Sequence, residues 1–340
     1  MFVKWRFTVA VLAVVSLVLI ISPFISLFLL PAKFSNHAYR QLSDRVIVER
    51  QTKSFNSREE IILKLFEFTH SNLFLPKNSL PYDGKPLDFL IMGIGWCDYQ
   101  AKVFNVLLSK KGIPSRYAML MDNTRVSRHT ISEVYFHNRW VVFDPIEYTF
   151  FKLPNGEYAT LDDLSRNPQI IFKHPAFKNL EESEYQSRMA WYSTLFPIPM
   201  PPKRSNSFIE DISFFDRVLD LYYFFGGGNF ANVYQDAYLK NKLPSFKEPD
   251  YKLFYAARNY SLYGRRNLAI DAHTKLINDF PGSKYRDDSL FFLSLLYADT
   301  DKNYRKSVSV LNKLLIEYSD SDWSDIATYM VEKYRYSKVK

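Results

Sequence analysis

A cysteine, a histidine and an aspartate occur in an order, and with flanking residues, that could support thiol chemistry. Cys97 follows Gly95-Trp96, His129 comes 32 residues later, and Asp144 lies 15 residues beyond the histidine. A thiolate nucleophile needs an imidazole to share and return its proton, and the imidazole needs a carboxylate that fixes its tautomer. We therefore predict a catalytic triad of Cys97, His129 and Asp144, with the backbone N–H of Cys97 as an oxyanion donor.

Each of these residues also has a purely structural interpretation. A single cysteine is often a small buried hydrophobic residue, and a histidine on a strand often serves packing. An aspartate before a proline, as in Asp144-Pro145, can simply end a strand. The order, spacing and flanking residues of the three together, rather than any one of them, favour catalysis.

The surrounding segments predict the elements that must position these side chains. Ser57 and Glu60 form a capping-box pattern, so a helix is expected to begin at Ser57. A second helix is predicted from Cys97 to Gly112, which places the thiol at the positive end of the helix dipole and favours the thiolate. Strands are predicted over residues 117–121, 129–136 and 140–144, with a polar turn at residues 137–139.

The spacing between His129 and Asp144 constrains the hairpin that carries them. Side chains alternate faces along a strand, so a register shift of one residue would turn the imidazole away. With a two-residue turn at Asn138-Arg139, His129 would lie four residues from the position opposite Asp144, about 13 Å away. We therefore expect a wider turn or a bulge that sets His129 directly opposite Asp144.

Sequence blocks around these residues resemble the transglutaminase-like superfamily. The blocks, in chain order, are Gly95-Trp96-Cys97-Asp98 with Ala101, Gly112-Ile113-Pro114-Ser115-Arg116-Tyr117, His129 with Glu133-Val134, and Arg139-Trp140-Val141-Val142-Phe143-Asp144-Pro145. The resemblance covers residues 57–150. It implies a papain-like α+β fold with Cys97 as nucleophile, His129 as general base and acid, and Asp144 as orienting group.

The chain departs from this family pattern beside two of the candidate residues. Thr130-Ile131 follows the histidine, where alanine and tryptophan are common in the family. Trp96 precedes the cysteine, where a small or polar residue is expected. Both departures leave the triad intact and alter residues that would shape the acyl pocket, so the resemblance does not specify the substrate.

The N-terminus predicts a membrane segment. Residues 7–30 carry no charge, and a helix of 24 residues spans about 36 Å, more than the roughly 30 Å of a hydrocarbon core. We predict a transmembrane signal anchor over residues 1–31 and a juxtamembrane stalk over residues 32–56. The soluble part is then expected outside the cytoplasm, in the periplasm or at the cell surface. A cleaved signal peptide and a buried core helix are the alternatives.

The C-terminal part contains an internal repeat with an offset of 38 residues, which relates Phe280 to Tyr318 and Tyr285 to Trp323. Such a period is typical of helical solenoids, and the pattern resembles tetratricopeptide repeats, which implies a protein partner. The proline-rich residues 197–204 predict a linker, so we expect a transglutaminase-like domain over residues 57–200 and a helical domain over residues 201–340. A plain helical cap on the first domain is the alternative.

Composition excludes several other classes of protein. With one cysteine in 340 residues, no disulfide framework or cysteine-based metal cluster can form within the chain. The histidines show no metal-ligand spacing, and the net charge of +8 is spread without a dense basic run. We therefore expect no metal, no cofactor and no nucleic-acid partner.

Two functions remain from this evidence. The first is a membrane-anchored, extracytoplasmic, cysteine-dependent enzyme that hydrolyses or transamidates a protein or peptide substrate through Cys97, His129 and Asp144. The second is a non-catalytic envelope assembly or scaffold protein, in which the same fold and the helical repeats bind other proteins. The expected architecture is α+β, with a papain-like core, an all-α repeat domain and an N-terminal transmembrane helix.

Overall fold

The computed structural model describes residues 8–18, 21, 35–48, 57–75, 85–122, 126–178, 180–192, 203–205, 235–240, 242–300 and 302–336. The chain divides into two compact units. One unit is Leu42–Glu210, and the other comprises Met1–Gln41 and Asp211–Lys340. The predicted linker over residues 197–204 lies outside the described residues except at its end, where Lys203–Ser205 forms a short strand.

The unit that carries the candidate residues combines an antiparallel sheet with helices. Its strands are β1 (Ser115–Met121), β2 (Ser127–Phe136), β3 (Arg139–Asp144), β4 (Thr149–Phe150) and β5 (Lys203–Ser205). Its helices are α1 (Ser35–Val48, shared with the other unit), α2 (Arg58–Asn72), α3 (Pro86–Met92), α4 (Cys97–Ser109), α5 (Leu161–Arg166), α6 (Gln169–Phe172) and α7 (Glu182–Tyr192). The strand order is β4-β3-β2-β1-β5, so β2 and its histidine lie in the middle of the sheet. The α+β class predicted for this part is confirmed.

Helices cover both faces of this sheet. On one face, Phe143 of β3 packs its ring against Phe66 of α2 and Phe104 of α4, with centroid distances of 5.2 and 5.8 Å. On the other face, Met189 and Tyr192 of α7 join the apolar core formed by the sheet and the segment after it. Because neighbouring residues on a strand point to opposite faces, Asp144 points away from Phe143 and toward the α7 side.

Local signals explain where the two long helices before the sheet begin. The backbone N–H of Glu60 donates to the Ser57 hydroxyl at 3.2 Å, and the Glu60 carboxylate accepts from the backbone N–H of Ser57 at 2.8 Å. This is the predicted capping box. The predicted helix from Cys97 is also present, and the chain leaves it through Gly112, whose φ of +65° suits glycine.

The β2–β3 hairpin differs from the expected one. His137 and Asn138 form a two-residue turn with φ values of 50° and 61°, which matches the twist of the flanking strands. Phe136 pairs with Arg139 and Ser132 with Phe143, so Asp144 lies level with Ile131 and diagonal to His129. The expected wider turn or bulge in this hairpin is therefore wrong, because diagonal neighbours on one face are close enough for these two side chains to meet.

The N-terminal segment is described only in part. Residues 8–18 and residue 21 are helical, and their large apolar side chains are exposed. Within the described residues, no helix combines the length and the apolar character needed to cross a bilayer. Much of the predicted anchor over residues 1–31 lies outside the described residues. The predicted stalk over residues 32–56 contains the helix α1, in which Ala38, Tyr39 and Leu42 are buried.

The C-terminal part is helical, as predicted. Its helices are α8 (Pro249–Leu262), α9 (Arg266–Asp279), α10 (Arg286–Thr300), α11 (Tyr304–Glu317) and α12 (Ser324–Tyr336). Each of these helices packs against the next along the chain. This arrangement of successive helix hairpins places the largest helix–helix contacts between neighbours in sequence, as in helical arrays.

The hairpins repeat one set of contacts. The Ser283 hydroxyl donates to Asp250 at 2.7 Å, and the Ser321 hydroxyl donates to Asp287 at 2.7 Å. In each case the aromatic residue two positions after the serine stacks on the preceding hairpin: Tyr285 on Phe254 at 5.2 Å, and Trp323 on Phe291 at 4.2 Å. The repeated sequence therefore serves the same packing role twice, while its assignment to the tetratricopeptide class stays a prediction.

A buried histidine in these helices has a consequence for acid stability. His273 is fully buried, and neither ring nitrogen has a hydrogen-bond partner. Burial and the positive charge of Arg258 lower the pKa of His273 to about 3. The folded chain therefore keeps this imidazole neutral at a pH where the unfolded chain, with an imidazole pKa of about 6.5, takes up a proton.

We expect acid to destabilise these helices through His273. The depressed pKa means that stability is fully present above about pH 6.5 and falls as the pH drops toward 3, by about 2–3 kcal/mol at pH 4.5. His273→Leu should remove this part of the pH dependence in denaturant unfolding of the full chain. His273→Gln should lose the same slope even if it lowers stability at every pH. A slope unchanged in both variants would contradict the assignment.

Candidate active site

The position of Cys97 is set by the segment that leads into α4. The backbone N–H of Phe74 donates to the Gly93 carbonyl at 3.0 Å, and that of Gly95 donates to the Phe74 carbonyl at 2.9 Å. A side chain at Gly95 would lie 3.2 Å from the Tyr99 Cβ atom, so glycine permits this close approach. Because of these contacts, Cys97 is the first residue of α4, and its side chain is partly exposed.

His129 lies near the start of β2 with 1% of its surface exposed. Its Nε2 atom is 2.6 Å from Oδ2 of Asp144. Cys97 also acts on this imidazole and helps to raise its pKa, and because Nε2 is taken by the carboxylate, Nδ1 is the nitrogen left for the thiol. The three residues predicted from the sequence therefore converge at one place.

Electrostatics favour a protonated imidazole at this position. Burial lowers the pKa of His129, but the charge of Asp144 and hydrogen bonds with Asp144 and Cys97 outweigh it and raise the pKa to about 10. A histidine held as imidazolium next to a thiol stabilises the thiolate form of that thiol.

Asp144 is fully buried, and both of its oxygens accept hydrogen bonds. Oδ1 accepts from the backbone N–H of Ile146 at 3.2 Å and of Glu147 at 3.4 Å. Oδ2 accepts from His129 and also from the hydroxyl of Tyr192. Four donors around one buried carboxylate satisfy both of its oxygens and fix the direction in which it faces the imidazole.

The sequence analysis missed the residues that α7 contributes. The Trp191 ring stacks on the His129 ring with a centroid distance of 4.9 Å, and the Tyr192 ring meets it edge-on at 5.5 Å. The only local signal was the Trp191-Tyr192 pair itself, which is equally typical of a packing helix. The contact with His129 spans about 60 residues of chain, so no spacing rule within one element could have found it.

A second ion pair joins α7 to the turn that follows β3. Arg188 of α7 donates to the Glu147 carboxylate at 2.7 Å, and its guanidinium lies 4.7 Å from the centre of the Trp191 ring. Burial and the charge of Asp144 raise the pKa of Glu147 to about 7, against the opposing charge of Arg188. The pair ties α7 to the turn that follows Asp144, and so supports both ends of the contact with His129.

Among the residues that the structure describes, no three or more histidine, cysteine, aspartate or glutamate side chains are grouped so as to hold a metal ion. The chemistry that this arrangement can perform is that of a thiolate paired with an imidazolium: attack on an electrophilic carbon, followed by proton delivery to a leaving group. The carboxylate that holds the imidazole completes the arrangement required for this chemistry.

Comparison with known proteins agrees with this geometry. Residues 41–145 match the family model of the transglutaminase-like superfamily, which places a domain of that superfamily over 105 of the 340 residues. The matched range contains Cys97, His129 and Asp144 and ends before α7. Neither the search of curated proteins nor the search of solved structures found a match to the chain.

Proposed function

We propose that this protein is a cysteine-dependent acyl-transfer enzyme of the transglutaminase-like type, with Cys97, His129 and Asp144 as its catalytic residues. The observation that carries the proposal is the position of His129, whose Nε2 atom lies 2.6 Å from the Asp144 carboxylate and whose pKa is raised by both Asp144 and Cys97. The match of residues 41–145 to the superfamily also supports it. Because a fold alone does not establish chemistry, the proposal depends on the geometry of the site.

In the proposed reaction, the Sγ atom of Cys97 attacks the carbonyl carbon of a peptide or carboxamide, and the backbone N–H of Cys97 supports the oxyanion. The carbon–nitrogen bond then breaks, and the His129 imidazolium gives its proton to the departing amine. The resulting thioester is attacked by water or by a second amine, from which His129 takes a proton; the carbon–sulfur bond then breaks, and the Cys97 thiolate and the His129 imidazolium are restored. Hydrolysis and transamidation differ only in that second nucleophile.

The exposure of Trp96 supports the proposal that the site binds a peptide-like substrate. Its ring is 39% exposed and lies immediately before the nucleophile, at the open end of α4. Exposed aromatic rings beside a polar reactive group favour binding of amphipathic chain segments. We propose that Trp96 contacts the substrate on the acyl side.

The test is to trap the acyl-enzyme on the full chain with p-nitrophenyl acetate as the probe. Because Cys97 is the only cysteine, intact mass spectrometry followed by peptide mapping assigns any thioester to it. We expect one acetyl group on Cys97 that hydroxylamine removes, and none in His129→Ala under the same conditions. Equal acetylation of both chains would count against the proposal.

We propose that residues 1–31 anchor the enzyme in a membrane and that the rest of the chain lies outside the cytoplasm. We further propose that the hairpins of α8–α12, which repeat the Ser–Asp and stacking contacts, are tetratricopeptide-like and bind a protein partner. Such repeats present long surfaces suited to other chains.

One observation favours a second candidate, a scaffold that binds a chain without cleaving it. His129 is 1% exposed and lies under the Trp191 ring, whereas a general acid must reach its leaving group. Complementation of a deletion strain separates the two functions. The enzyme hypothesis expects Cys97→Ser to fail, and the scaffold hypothesis expects it to succeed.

A further inference from the structure

The helix α7 contributes a hydrogen bond that bears directly on the candidate triad. The Tyr192 hydroxyl donates to Oδ2 of Asp144, which is the same oxygen that accepts from Nε2 of His129. Tyr192 is fully buried, and α7 lies outside residues 41–145, which match the superfamily. The hydroxyl therefore acts on the carboxylate from a part of the chain that the family comparison does not cover.

The Tyr192 hydroxyl keeps its proton at neutral and acid pH, and so remains a hydrogen-bond donor to Asp144. Burial and the charge of Asp144 raise the pKa of Tyr192 well above its ordinary value, so the phenol keeps its proton. A hydrogen bond to a carboxylate spreads its negative charge over the donor and weakens the carboxylate's pull on its other partners. Because Oδ1 of Asp144 is already held by the Ile146 and Glu147 amides, orientation does not depend on Tyr192 alone.

We propose that Tyr192 is a positioning residue that sets how strongly Asp144 holds the His129 imidazolium, and through it how readily Cys97 is present as thiolate. This inference rests on the proposed function and deepens it. The Tyr192 hydroxyl and Nε2 of His129 both donate to Oδ2 of Asp144. When Tyr192→Phe removes the hydroxyl, the negative charge of that oxygen acts on the imidazolium alone. The imidazolium–thiolate pair then becomes more stable relative to the neutral pair, and thiolate persists to lower pH.

Other charged and titratable groups also face Asp144 and must be considered in any pH profile. They are His129 on β2, Cys97 on α4, His70 on α2, Glu147 in the turn after β3, and Tyr192 and Arg188 on α7. Tyr192→Phe alters none of these except the phenol itself. The difference between the wild-type and variant profiles therefore isolates the contribution of the hydroxyl.

The test is the rate at which iodoacetamide alkylates Cys97 in the full chain from about pH 4 to about pH 9, since the thiolate is the reacting form. In Tyr192→Phe we expect the midpoint of the thiolate profile to fall by about half a pH unit, which gives about a twofold faster reaction on the acid side because the more stable thiolate is also less nucleophilic. Tyr185→Phe, the same change earlier on α7, is the matched control and should reproduce the wild type.

The outcomes separate this inference from the function on which it rests. A Tyr192→Phe midpoint that stays in place or moves upward, while His129→Ala still slows alkylation, would overturn the role of Tyr192 alone. A wild type that reacts like an ordinary thiol and does not respond to His129→Ala would overturn the proposed function. Easier access to the sulfur would change the alkylation rate at every pH without moving the midpoint, and loss of the imidazolium would raise the midpoint, so a lower midpoint cannot come from a merely structural defect.

Discussion

Replacing His129 with alanine is expected to slow alkylation of Cys97 at pH 6 by about 10-fold. An ordinary thiol, with a pKa of about 8.5, is only about 0.3% ionised at pH 6. The imidazolium of His129, which interacts with Cys97 and is held by Asp144, is the group that would keep the sulfur ionised there. A thiolate held at low pH is less nucleophilic than an ordinary one, so the loss of rate is smaller than the loss of ionised fraction.

The single cysteine makes this measurement direct. Iodoacetamide can modify only Cys97, and intact mass spectrometry follows the reaction without a substrate. His174→Ala is the control, because His174 lies in the same unit but contacts Thr149 and Phe151 rather than the thiol. The control should alkylate like the wild type. Equal rates in His129→Ala and the wild type at pH 6 would show that the imidazole does not activate the sulfur.

Replacing Trp323 with alanine is expected to lower the stability of the C-terminal helices by about 3–5 kcal/mol, as for other buried tryptophans. Trp323 is 1% exposed, and its ring stacks on Phe291 at 4.2 Å. Its indole N–H also donates to Asp288 at 2.7 Å, so the change removes a large apolar group and a partner of a carboxylate together. Both effects act on the contact between α10 and the segment that leads into α12.

Hydrogen exchange in the full chain shows which helices lose stability in Trp323→Ala. Amide protection in α10 and α12 should fall by roughly 10²- to 10⁴-fold, while peptides from β2 and β3 keep their protection. Trp323→Phe retains an aromatic ring without the N–H and should show a smaller loss. If α10 protection in Trp323→Ala stays within about threefold of the wild type, the stacking and the hydrogen bond do not stabilise these helices.

Features that depend on a few adjacent residues were predictable from the sequence. The capping box of Ser57 and Glu60 and the helix that begins at Cys97 follow from hydrogen bonds and backbone preferences within a few residues of each other. The three central strands followed from alternating patterns of the same kind. Because Cys97, His129 and Asp144 lie on those elements, their convergence could be proposed before any coordinates.

The hairpin register shows where a local argument becomes unreliable. A histidine with positive φ is uncommon, so the turn at His137 and Asn138 has no strong signature such as Asn-Gly. The expected turn was Asn138-Arg139, and the observed turn lies one residue earlier, at His137 and Asn138. This difference of one residue moves the position opposite His129 by two residues along the chain. The diagonal contact with Asp144 then required no bulge, because both side chains are on one face and long enough to meet.

Residue types and order along the chain were sufficient to identify a thiol, an imidazole and a carboxylate as one candidate group, since each element that carries them is encoded locally. Tertiary packing alone decided that α7 covers the imidazole and that the Tyr192 hydroxyl shares the Asp144 carboxylate with it. The physical reason is distance in the chain: a contact across 48 residues depends on how a whole sheet and its helices pack, which no short pattern records.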